Sequence, residues 1–202
     1  MNKVLCELFE DRPVLESCRA DILAAFELLV SSYRAGGKVL VCGNGGSASD
    51  AEHICGELLK CFRKARPVPE DVASRLDPSL AEKLEGSLPA VSLVSMSGII
   101  SAFANDVAWE TVYAQQVLGL ARPEEVLITL STSGNSANCV AAARVMKAKG
   151  GGSIAFTGGA QSKLSETCDV AIRVPETETF RVQELHLPIY HALCAAVEEE
   201  LF

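Results

Sequence analysis

The chain has 202 residues and a formal net charge of −8, and 49% of its residues are hydrophobic. This composition supplies enough apolar side chains for one sizeable core and differs from the composition of disordered proteins. The 18 Lys and Arg residues form no cluster, which excludes the basic surface of a nucleic-acid or membrane-surface binder. No segment reaches the roughly 18 apolar residues of a membrane span, and the acidic N-terminal stretch does not resemble a signal peptide.

Short apolar runs alternate with amphipathic segments along the chain. The runs predict strands at 38–42, 90–94, 126–130, 153–157 and 169–174. Segments with helical spacing of apolar residues predict helices at about 14–35, 48–64, 109–120, 136–149 and 180–201. This alternation predicts an α/β fold with a doubly wound, five-stranded parallel sheet between two helical layers. In such folds ligands bind beyond the carboxyl ends of the strands.

Residues 1–202 are predicted to form one domain that starts with helices over 1–36. Residues 65–89 interrupt the alternation, because this segment contains four of the eight prolines. We predict a surface insert there, with a short helix around 80–85. The eight cysteines include no CxxC pair and mostly lie in apolar segments, which indicates reduced thiols and a cytoplasmic protein.

A glycine-rich turn, CGNGGSASD at 42–50, follows the first predicted strand and leads into a helix that Ser49 or Asp50 is expected to cap. The turn satisfies the dinucleotide pattern G-x-G-x-x-A. A dinucleotide site also needs an acidic residue at the end of the second strand, where this chain reads VSM. We therefore predict no nucleotide cofactor, and a tight turn without any ligand is the alternative interpretation.

A second loop, STSGNS at 131–136, follows the third predicted strand and precedes a helix. Its hydroxyl groups and the helix N-terminus direct several hydrogen-bond donors at one point, which favours a phosphate group. Because no lysine follows the glycine, the loop is not a P-loop, and a phosphate monoester on a small metabolite fits better. The alternative is that Ser or Thr serves only as a helix cap.

The histidines fall in two predicted helices. His53 and Glu57 have i,i+4 spacing and share one helix face, whereas Gln183 and His191 are separated by about 12 Å along an ideal helix. His186 is expected to be an ordinary core histidine. The set of His53, Glu57, Gln183 and His191 suits either a zinc ion or general acid–base chemistry on a sugar phosphate. Spacing alone does not choose between these interpretations.

The motifs together resemble those of the sugar isomerase (SIS) domain family, and within it those of the phosphoheptose isomerases. The resemblance extends over nearly the whole chain and includes CGNGGSASDAEH, TLSTSGNSAN and RVPETETFRVQELH. It implies a homotetramer with active sites at subunit interfaces. It also implies that a ketose 7-phosphate is converted to an aldose 7-phosphate through an enediol, without a nucleotide cofactor.

The resemblance also implies roles for individual residues. Glu57 corresponds to the catalytic base and His191 to the catalytic acid, and zinc-binding members hold the metal through residues that match His53, Glu57, Gln183 and His191. The implied substrate contacts are Asn44, Gly45, Gly46, Glu57, Asn105 and Asp106 of an AND turn, Ser131, Thr132, Ser133, Ser136 and Gln183.

Two departures from the family leave the sugar open. Cys61 stands where the family has an arginine, and Phe180 stands where it has an aspartate. Isomerases of other phosphosugars in the family therefore remain alternatives. Further alternatives are a noncatalytic SIS scaffold that binds a replication initiator and a sugar-phosphate sensor of a transcription regulator. The presence of both Glu57 and His191 favours the enzyme, and no helix-turn-helix precedes the first strand.

Overall fold

The computed structural model describes residues 2–202. Five parallel strands form one sheet in the order β2-β1-β3-β4-β5, which confirms the predicted sheet. The strands are β1 (Val39–Gly43), β2 (Ala90–Ser92), β3 (Val126–Leu130), β4 (Gly152–Gly158) and β5 (Val170–Val174). The strand order reverses at β1 and β3, so the loops after these strands flank the crevice where such folds bind ligands.

Ten α-helices flank the sheet within residues 2–202. They are α1 (Lys3–Asp11), α2 (Arg19–Arg34), α3 (Gly46–Leu59), α4 (Glu70–Ala73), α5 (Pro78–Ala81), α6 (Ser97–Asp106), α7 (Val112–Leu120), α8 (Ala137–Ala148), α9 (Lys163–Thr167) and α10 (Thr179–Leu201). No helix in this part of the chain combines the length and apolar character that crossing a membrane requires.

Both faces of the sheet are buried, because successive strand residues point to opposite sides. Val39 and Val41 belong to a core shared with α1, α2, α3 and α10. Leu40 and Cys42 belong to a second core on the opposite face, which includes residues of α7, α8 and α9. This two-sided burial explains why the strand sequences are almost continuously apolar.

Several helix boundaries differ from the sequence-based prediction. The helix predicted at 14–35 is divided into a 3₁₀ turn over Pro13–Cys18 and the α-helix α2. The helix predicted around 80–85 lies earlier, at α5, because Pro78 suits a first helical turn and the Asp77 side chain accepts from the Ser79 N–H. The sequence analysis missed α4, α6 and α9, of which α4 has only four residues and α9 only five.

Residues 65–89 form a largely exposed segment on the edge-strand side of the sheet. Its two ends are anchored beside the end of α3. The Gly86 N–H donates to the Arg66 carbonyl at 2.8 Å, and the Leu88 N–H donates to the Leu58 carbonyl at 3.0 Å. The assignment of this exposed segment as an insert stays a prediction.

Candidate active site

The glycine-rich turn places the N-terminus of α3 at the carboxyl end of β1. Gly45 has φ 58°, a left-handed conformation that favours glycine, and precedes the first helical residue, Gly46. The predicted capping by Ser49 or Asp50 is therefore wrong, since both residues lie inside α3. The positive φ of Gly45 turns the chain into the helix before either side chain could cap it.

A pair of asparagines joins the two predicted ligand loops. Asn44 Nδ2 donates to Asn138 Oδ1 at 2.8 Å, and Asn138 Nδ2 donates to Asn44 Oδ1 at 2.9 Å. The Tyr113 hydroxyl donates to the Gly43 carbonyl at 2.7 Å and so stabilises the glycine-rich turn. These contacts hold Asn44 in one orientation. Sequence reasoning missed Asn138 as a site residue, although it lies only two positions after the STSGNS loop.

The hydroxyl loop at 131–136 is folded back on itself. The Ser131 and Ser136 hydroxyl oxygens are 2.9 Å apart, and Gly134, at φ 66°, allows its N–H to reach the Ser131 carbonyl at 2.8 Å. Ser136 precedes α8 but makes no side-chain capping bond. The helix-cap alternative therefore does not account for these hydroxyls. Ser131 is buried, whereas the Ser133 side chain is exposed, and Thr132 lies between them in exposure.

Asn105 and Asp106 occupy the last two positions of α6. They were expected in a turn, and this part of the expectation is wrong. The helix continues to Asp106, and the next N–H, that of Val107, still donates to the Phe103 carbonyl at 3.0 Å. Both residues are exposed, and Asn105 Nδ2 donates to Asp106 Oδ1 at 2.8 Å.

Gln183 lies inside α10 and packs against Gly46. A Cβ atom added at Gly46 would lie only 2.7 Å from Gln183 Nε2, so a larger residue there would displace the end of this side chain. The helix α10 begins at Thr179, so Gln183 and His191 lie on one continuous helix. Within its own chain, Gln183 is thus placed with the glycine-rich turn, about 12 Å along α10 from His191.

His53, Glu57 and His191 form one cluster between α3 and α10. His53 Nε2 is 3.2 Å from Glu57 Oε1 and 3.3 Å from His191 Nε2. The structure therefore brings together three of the four residues in the predicted acid–base or metal set. His53 and His191 are partly accessible to solvent, so a small molecule can reach the cluster.

Charged and aromatic neighbours surround this cluster. Lys60 Nζ is 3.0 Å from Glu57 Oε2, so the two carboxylate oxygens of Glu57 face an ammonium group and an imidazole. Burial, then the neighbouring His53, lower the pKa of His191 below its ordinary value, although Glu57 acts in the opposite direction. His191 is therefore neutral near pH 7 and has a ring N–H to donate.

His186 is separate from the cluster, as expected. Its side chain is fully buried, its ring meets Phe156 edge to face, and its Nε2 is 3.3 Å from the Thr157 carbonyl. Burial lowers the pKa of His186 to about 4, so this imidazole is neutral.

Two further residues support His53 and were missed by the sequence analysis. The Tyr190 hydroxyl donates to Asp50 Oδ1 at 3.1 Å and lies 3.1 Å from His53 Nδ1. The i,i+3 spacing of Asp50 and His53 was visible in the sequence. Their connection through Tyr190 depends on the packing of α10 against α3, which no local pattern reveals.

The imidazole and carboxylate groups of the cluster are of the types that bind zinc. Ligand atoms of a tetrahedral zinc ion lie roughly 3.3 Å apart, close to the two distances measured from His53 Nε2. Within residues 2–202, however, no group of three or more His, Cys, Asp and Glu side chains is arranged to hold a metal ion. The donor types and two pairwise distances fit zinc, whereas a complete coordination shell is not formed by one chain.

Sequence profiles of the SIS domain family match residues 96–196 and residues 12–87. A Rhodospirillum rubrum protein named phosphoheptose isomerase is 37% identical over 187 residues, which cover 93% of this chain and 89% of that protein. The structure of phosphoheptose isomerase from Neisseria gonorrhoeae matches with a TM-score of 0.77 at 30% identity. The match covers 96% of this chain and 94% of that chain.

A phosphoheptose isomerase structure from Francisella tularensis is similar to the same degree. Its TM-score is 0.79 at 29% identity, with 93% of this chain and 90% of that chain covered. The similarity thus extends over both ligand loops and the helices that carry the histidine cluster. The chain belongs to the SIS domain family, among its phosphoheptose isomerases.

Proposed function

We propose that the protein is an aldose–ketose isomerase that converts sedoheptulose 7-phosphate to D-glycero-D-manno-heptose 7-phosphate. The observation that carries this proposal is the cluster in which a carboxylate, Glu57, and a neutral imidazole, His191, both lie next to His53. A carboxylate base and an imidazole acid are the two groups that such an isomerisation requires. The membership of the chain among the phosphoheptose isomerases supports the choice of sugar.

In the proposed reaction Glu57 removes a proton from C1 of the ketose while His191 donates a proton to the C2 carbonyl oxygen. This step produces the enediol. Glu57 then returns its proton to C2, and His191 recovers a proton from the C1 hydroxyl, which leaves the aldehyde. Electrons move only within the sugar, so the reaction consumes no external oxidant or reductant.

The two loops beyond β1 and β3 are proposed to bind the substrate. In this assignment Ser131, Thr132, Ser133 and Ser136 hold the phosphate at the N-terminus of α8, supported by uncapped hydroxyls in the positive field of that helix. The other proposed substrate contacts are Asn44, Gly45, Gly46, Glu57, Asn105, Asp106 and Gln183. The Asn44–Asn138 pair supports the role of Asn44 by fixing its orientation.

The catalytic unit is proposed to be a homotetramer with active sites at subunit interfaces. In one chain the cluster lies about 10 Å along α3 from Gly46, because His53 follows Gly46 by seven residues. A second copy would bring its Gln183 and hydroxyl loop next to this cluster. Exposed apolar side chains at Val107, Trp109 and Leu118 supply surface that such an assembly would bury.

One zinc ion per subunit is proposed at His53, Glu57 and His191, with Gln183 of a second copy as a further ligand. The donor types and the two distances near 3.3 Å support this assignment. When bound, zinc would stabilise negative charge on the enediol oxygens. Since a metal-bound carboxylate is a weaker base, Glu57 as ligand and Glu57 as base describe different states of the site.

Lys60 bears on the question of substrate range. Cys61 replaces the arginine of the family and is directed into the following loop, where its Sγ accepts the Arg66 N–H at 3.1 Å. Lys60, one position earlier, places an ammonium group beside Glu57. This cation supports the binding of an anionic or polyhydroxylated substrate despite the loss of the arginine.

The decisive experiment is NMR of sedoheptulose 7-phosphate with the purified protein in deuterated water, with and without added zinc. We expect formation of the aldose with deuterium at C2, because the proton on Glu57 exchanges with solvent during the enediol step. If a folded tetramer forms no product, the proposal is wrong, and turnover of another phosphosugar would then indicate a different isomerase. Binding of sugar phosphate without any exchange would instead indicate a noncatalytic scaffold.

The protein is proposed to act in the cytoplasm. All eight cysteines are free, and five of them are buried. Unpaired thiols in this number are typical of a reducing compartment, where sugar phosphates are also made and consumed.

A further inference from the structure

Two asparagine side chains join the glycine-rich turn to the start of α8. Asn44 lies in the turn after β1, and Asn138 is the second residue of α8, directly beyond the hydroxyl loop. Asn44 Nδ2 donates to Asn138 Oδ1 at 2.8 Å, and Asn138 Nδ2 donates to Asn44 Oδ1 at 2.9 Å. These two reciprocal hydrogen bonds, which we call the amide pair, connect the two proposed substrate loops.

A backbone group determines the orientation of both amides. The Cys139 N–H, which can only donate, meets Asn138 Oδ1 at 3.0 Å. The other polar atom of Asn138 is therefore its nitrogen, which needs an acceptor opposite it. Asn44 meets that need only with its oxygen, so each amide has one defined orientation in the pair.

The polar atoms of the Asn44 side chain face groups of the protein. Nδ2 lies 3.9 Å from Cys139 Sγ in addition to its bond with Asn138, and the Tyr113 hydroxyl lies 3.5 Å from Oδ1. Asn138 is only 2% exposed, so water competes little for the pair. An amide held in this way contributes to the placement of the turn rather than a direct hydrogen bond to the substrate.

Each loop also has hydrogen bonds of its own that do not involve the two amides. In the hydroxyl loop, the Ser131 and Ser136 oxygens are 2.9 Å apart, and the Gly134 N–H donates to the Ser131 carbonyl at 2.8 Å. In the glycine-rich turn, the Ser47 N–H donates to the Asn44 carbonyl at 3.1 Å. The amide pair therefore determines where the two loops lie relative to each other more than the shape of either loop.

We propose that Asn44 and Asn138 are positioning residues that align the glycine-rich turn with the hydroxyl loop, so that both loops bind one sugar phosphate. This inference rests on the proposed function for the identity of the ligand, and it assigns the Asn44 side chain to Asn138 instead of to the substrate. Misplacement of a bound substrate by about 1 Å can cost about a hundredfold in rate. The alignment therefore matters for the reaction, although neither amide touches the reacting atoms.

A double-mutant cycle of Asn44→Ala, Asn138→Ala and the combined variant tests the amide pair. We expect each single substitution to lower kcat/KM for sedoheptulose 7-phosphate about 10- to 100-fold, and the combined variant to lose no more than either one. The effects should not multiply, because loss of one amide already breaks both hydrogen bonds. Multiplied effects would show that Asn44 binds the substrate directly, and a normal kcat/KM in Asn138→Ala would show that the alignment is unimportant. Either result overturns the proposal.

Competition by inorganic phosphate distinguishes a loss of alignment from damage to the hydroxyl loop. Phosphate alone needs only that loop, so its inhibition constant should be unchanged in Asn138→Ala. If the inhibition constant rose by as much as kcat/KM fell, Asn138 would merely shape the hydroxyl loop, and the proposal would be wrong.

Asn2→Ala is the matched control for these substitutions. The Asn2 amide also donates and accepts, since Nδ2 donates to the Ala196 carbonyl at 3.4 Å and Oδ1 accepts the Val4 N–H at 2.9 Å. It caps α1, a helix that carries no predicted site residue. This variant should therefore leave kcat/KM unchanged.

NMR of the substrate-free, full-length protein separates this inference from the proposed function. We expect the side-chain amide hydrogens of Asn138 to exchange slowly with solvent in the wild-type protein and faster in Asn44→Ala, where their acceptor is gone. Asn44 is only partly buried, so this variant should fold. Equal exchange in the two folded proteins would overturn the amide pair, whatever the activity. The expected loss of protection in a protein that does not isomerise the heptose phosphate would support the pair and contradict only the proposed reaction.

Discussion

The two ends of α3 are stabilised in opposite ways. At its N-terminus, neutral groups surround the helix: glycine backbone, the Gln183 amide and the Asn44–Asn138 pair. At its C-terminus, a buried ion pair satisfies the backbone, and Arg66 donates to the carbonyls of Glu57 and Leu58. Among residues 2–202, no acidic side chain lies in the first turn of α3, whereas its C-terminal end has a charged partner in Arg66.

The C-terminal end of α3 is stabilised by the ion pair between Arg66 and Glu198. The side chains of Arg66 and Glu198 are 0% and 1% exposed, with 2.7 Å between Nε and Oε1. Glu198 also accepts the N–H groups of Phe62, Arg63 and Lys64 at 2.7–2.9 Å. Burial by itself would raise the pKa of Glu198, but these bonds and Arg66 lower it below its ordinary value.

From this difference we expect the N-terminal end of α3 to be the end that binds a ligand. A structural helix end completes its hydrogen bonds and charges within the chain. A binding end leaves donors and a positive field available, so that an anionic substrate supplies the missing charge. Glu57 takes part in both environments. Its backbone carbonyl accepts from Arg66 at the C-terminal end of α3, while its side chain faces the histidine cluster.

The largest effect on stability is expected from Arg66→Met. Loss of one partner leaves Glu198 charged and buried without its cation, which typically lowers the free energy of unfolding by about 3–5 kcal/mol. Urea denaturation followed by circular dichroism measures this change. Arg63→Met is the control, because Arg63 is 55% exposed, lies 3.8 Å from Glu7, and should change stability by about 1 kcal/mol or less. Equal effects of the two substitutions would contradict the contrast between the two ends of α3.

Glu57→Gln tests the proposed role of the Glu57 carboxylate as the catalytic base. The amide retains the shape of the side chain and the backbone bond to Arg66, but it cannot accept the proton from the sugar. We expect kcat to fall by at least about a hundredfold with little change in stability. Glu52→Gln on the same helix is the control, since Glu52 is exposed and accepts the Ser95 hydroxyl at 2.8 Å. Near-normal turnover by Glu57→Gln would refute its role as the base.

The sequence predicted those parts of the site that are contiguous in the chain. The parallel sheet, the two ligand loops and the i,i+4 pair His53 and Glu57 each leave a local pattern. The contact between Asn44 and Asn138 joins residues 94 positions apart, and that between Asp50 and Tyr190 joins residues 140 apart. Such contacts depend on how helices pack, so no local pattern reveals them.

The errors in the sequence analysis have local causes. Ser49 and Asp50 are favoured at helix N-caps, but the left-handed conformation of Gly45 starts α3 earlier. At this position the backbone geometry overrides a residue preference. Gln183 lies on α10 with His191, and the parallel packing of α10 and α3 places it beside Gly46 of its own chain, so its grouping with the histidine cluster stays a prediction.

The dependence of stability on pH should differ between Glu198, a buried charge with a partner, and His186, a buried neutral base. His186 has a folded pKa of about 4 against an ordinary value of 6.5, so the unfolded chain takes up its proton first. Its contribution to stability is fully present above pH 6.5 and falls as the pH is lowered towards 4, by on the order of 3 kcal/mol. The paired Glu198, with its lowered pKa, should lose its contribution only below its ordinary value of 4.5.

Unfolding of wild-type protein and His186→Gln in urea at several pH values measures this effect. Glutamine retains an N–H donor for the Thr157 carbonyl and does not titrate. We therefore expect the stability of the variant to vary less with pH between about 6.5 and 4. Parallel pH profiles of the two proteins would show that His186 does not account for the loss of stability in acid.

The smallest predicted effect is on KM and concerns Ser133, which contributes a hydroxyl to the loop before α8. Its side chain is exposed and accepts the Asn135 N–H at 3.2 Å, so its removal should hardly change stability. Ser133→Ala should raise KM for the sugar phosphate about tenfold, because a hydrogen bond to a charged phosphate is lost.

Ser17→Ala is the matched control for Ser133→Ala. It removes an exposed hydroxyl that donates to the Val14 carbonyl at 3.2 Å, remote from both loops, and should leave KM unchanged. Competition by inorganic phosphate separates the phosphate contact from contacts to the sugar, since its inhibition constant should rise by a factor similar to that for KM. If phosphate inhibited Ser133→Ala and wild-type protein equally, the hydroxyl loop would not be the anion site. The N-terminus of α8 would then not be the phosphate site.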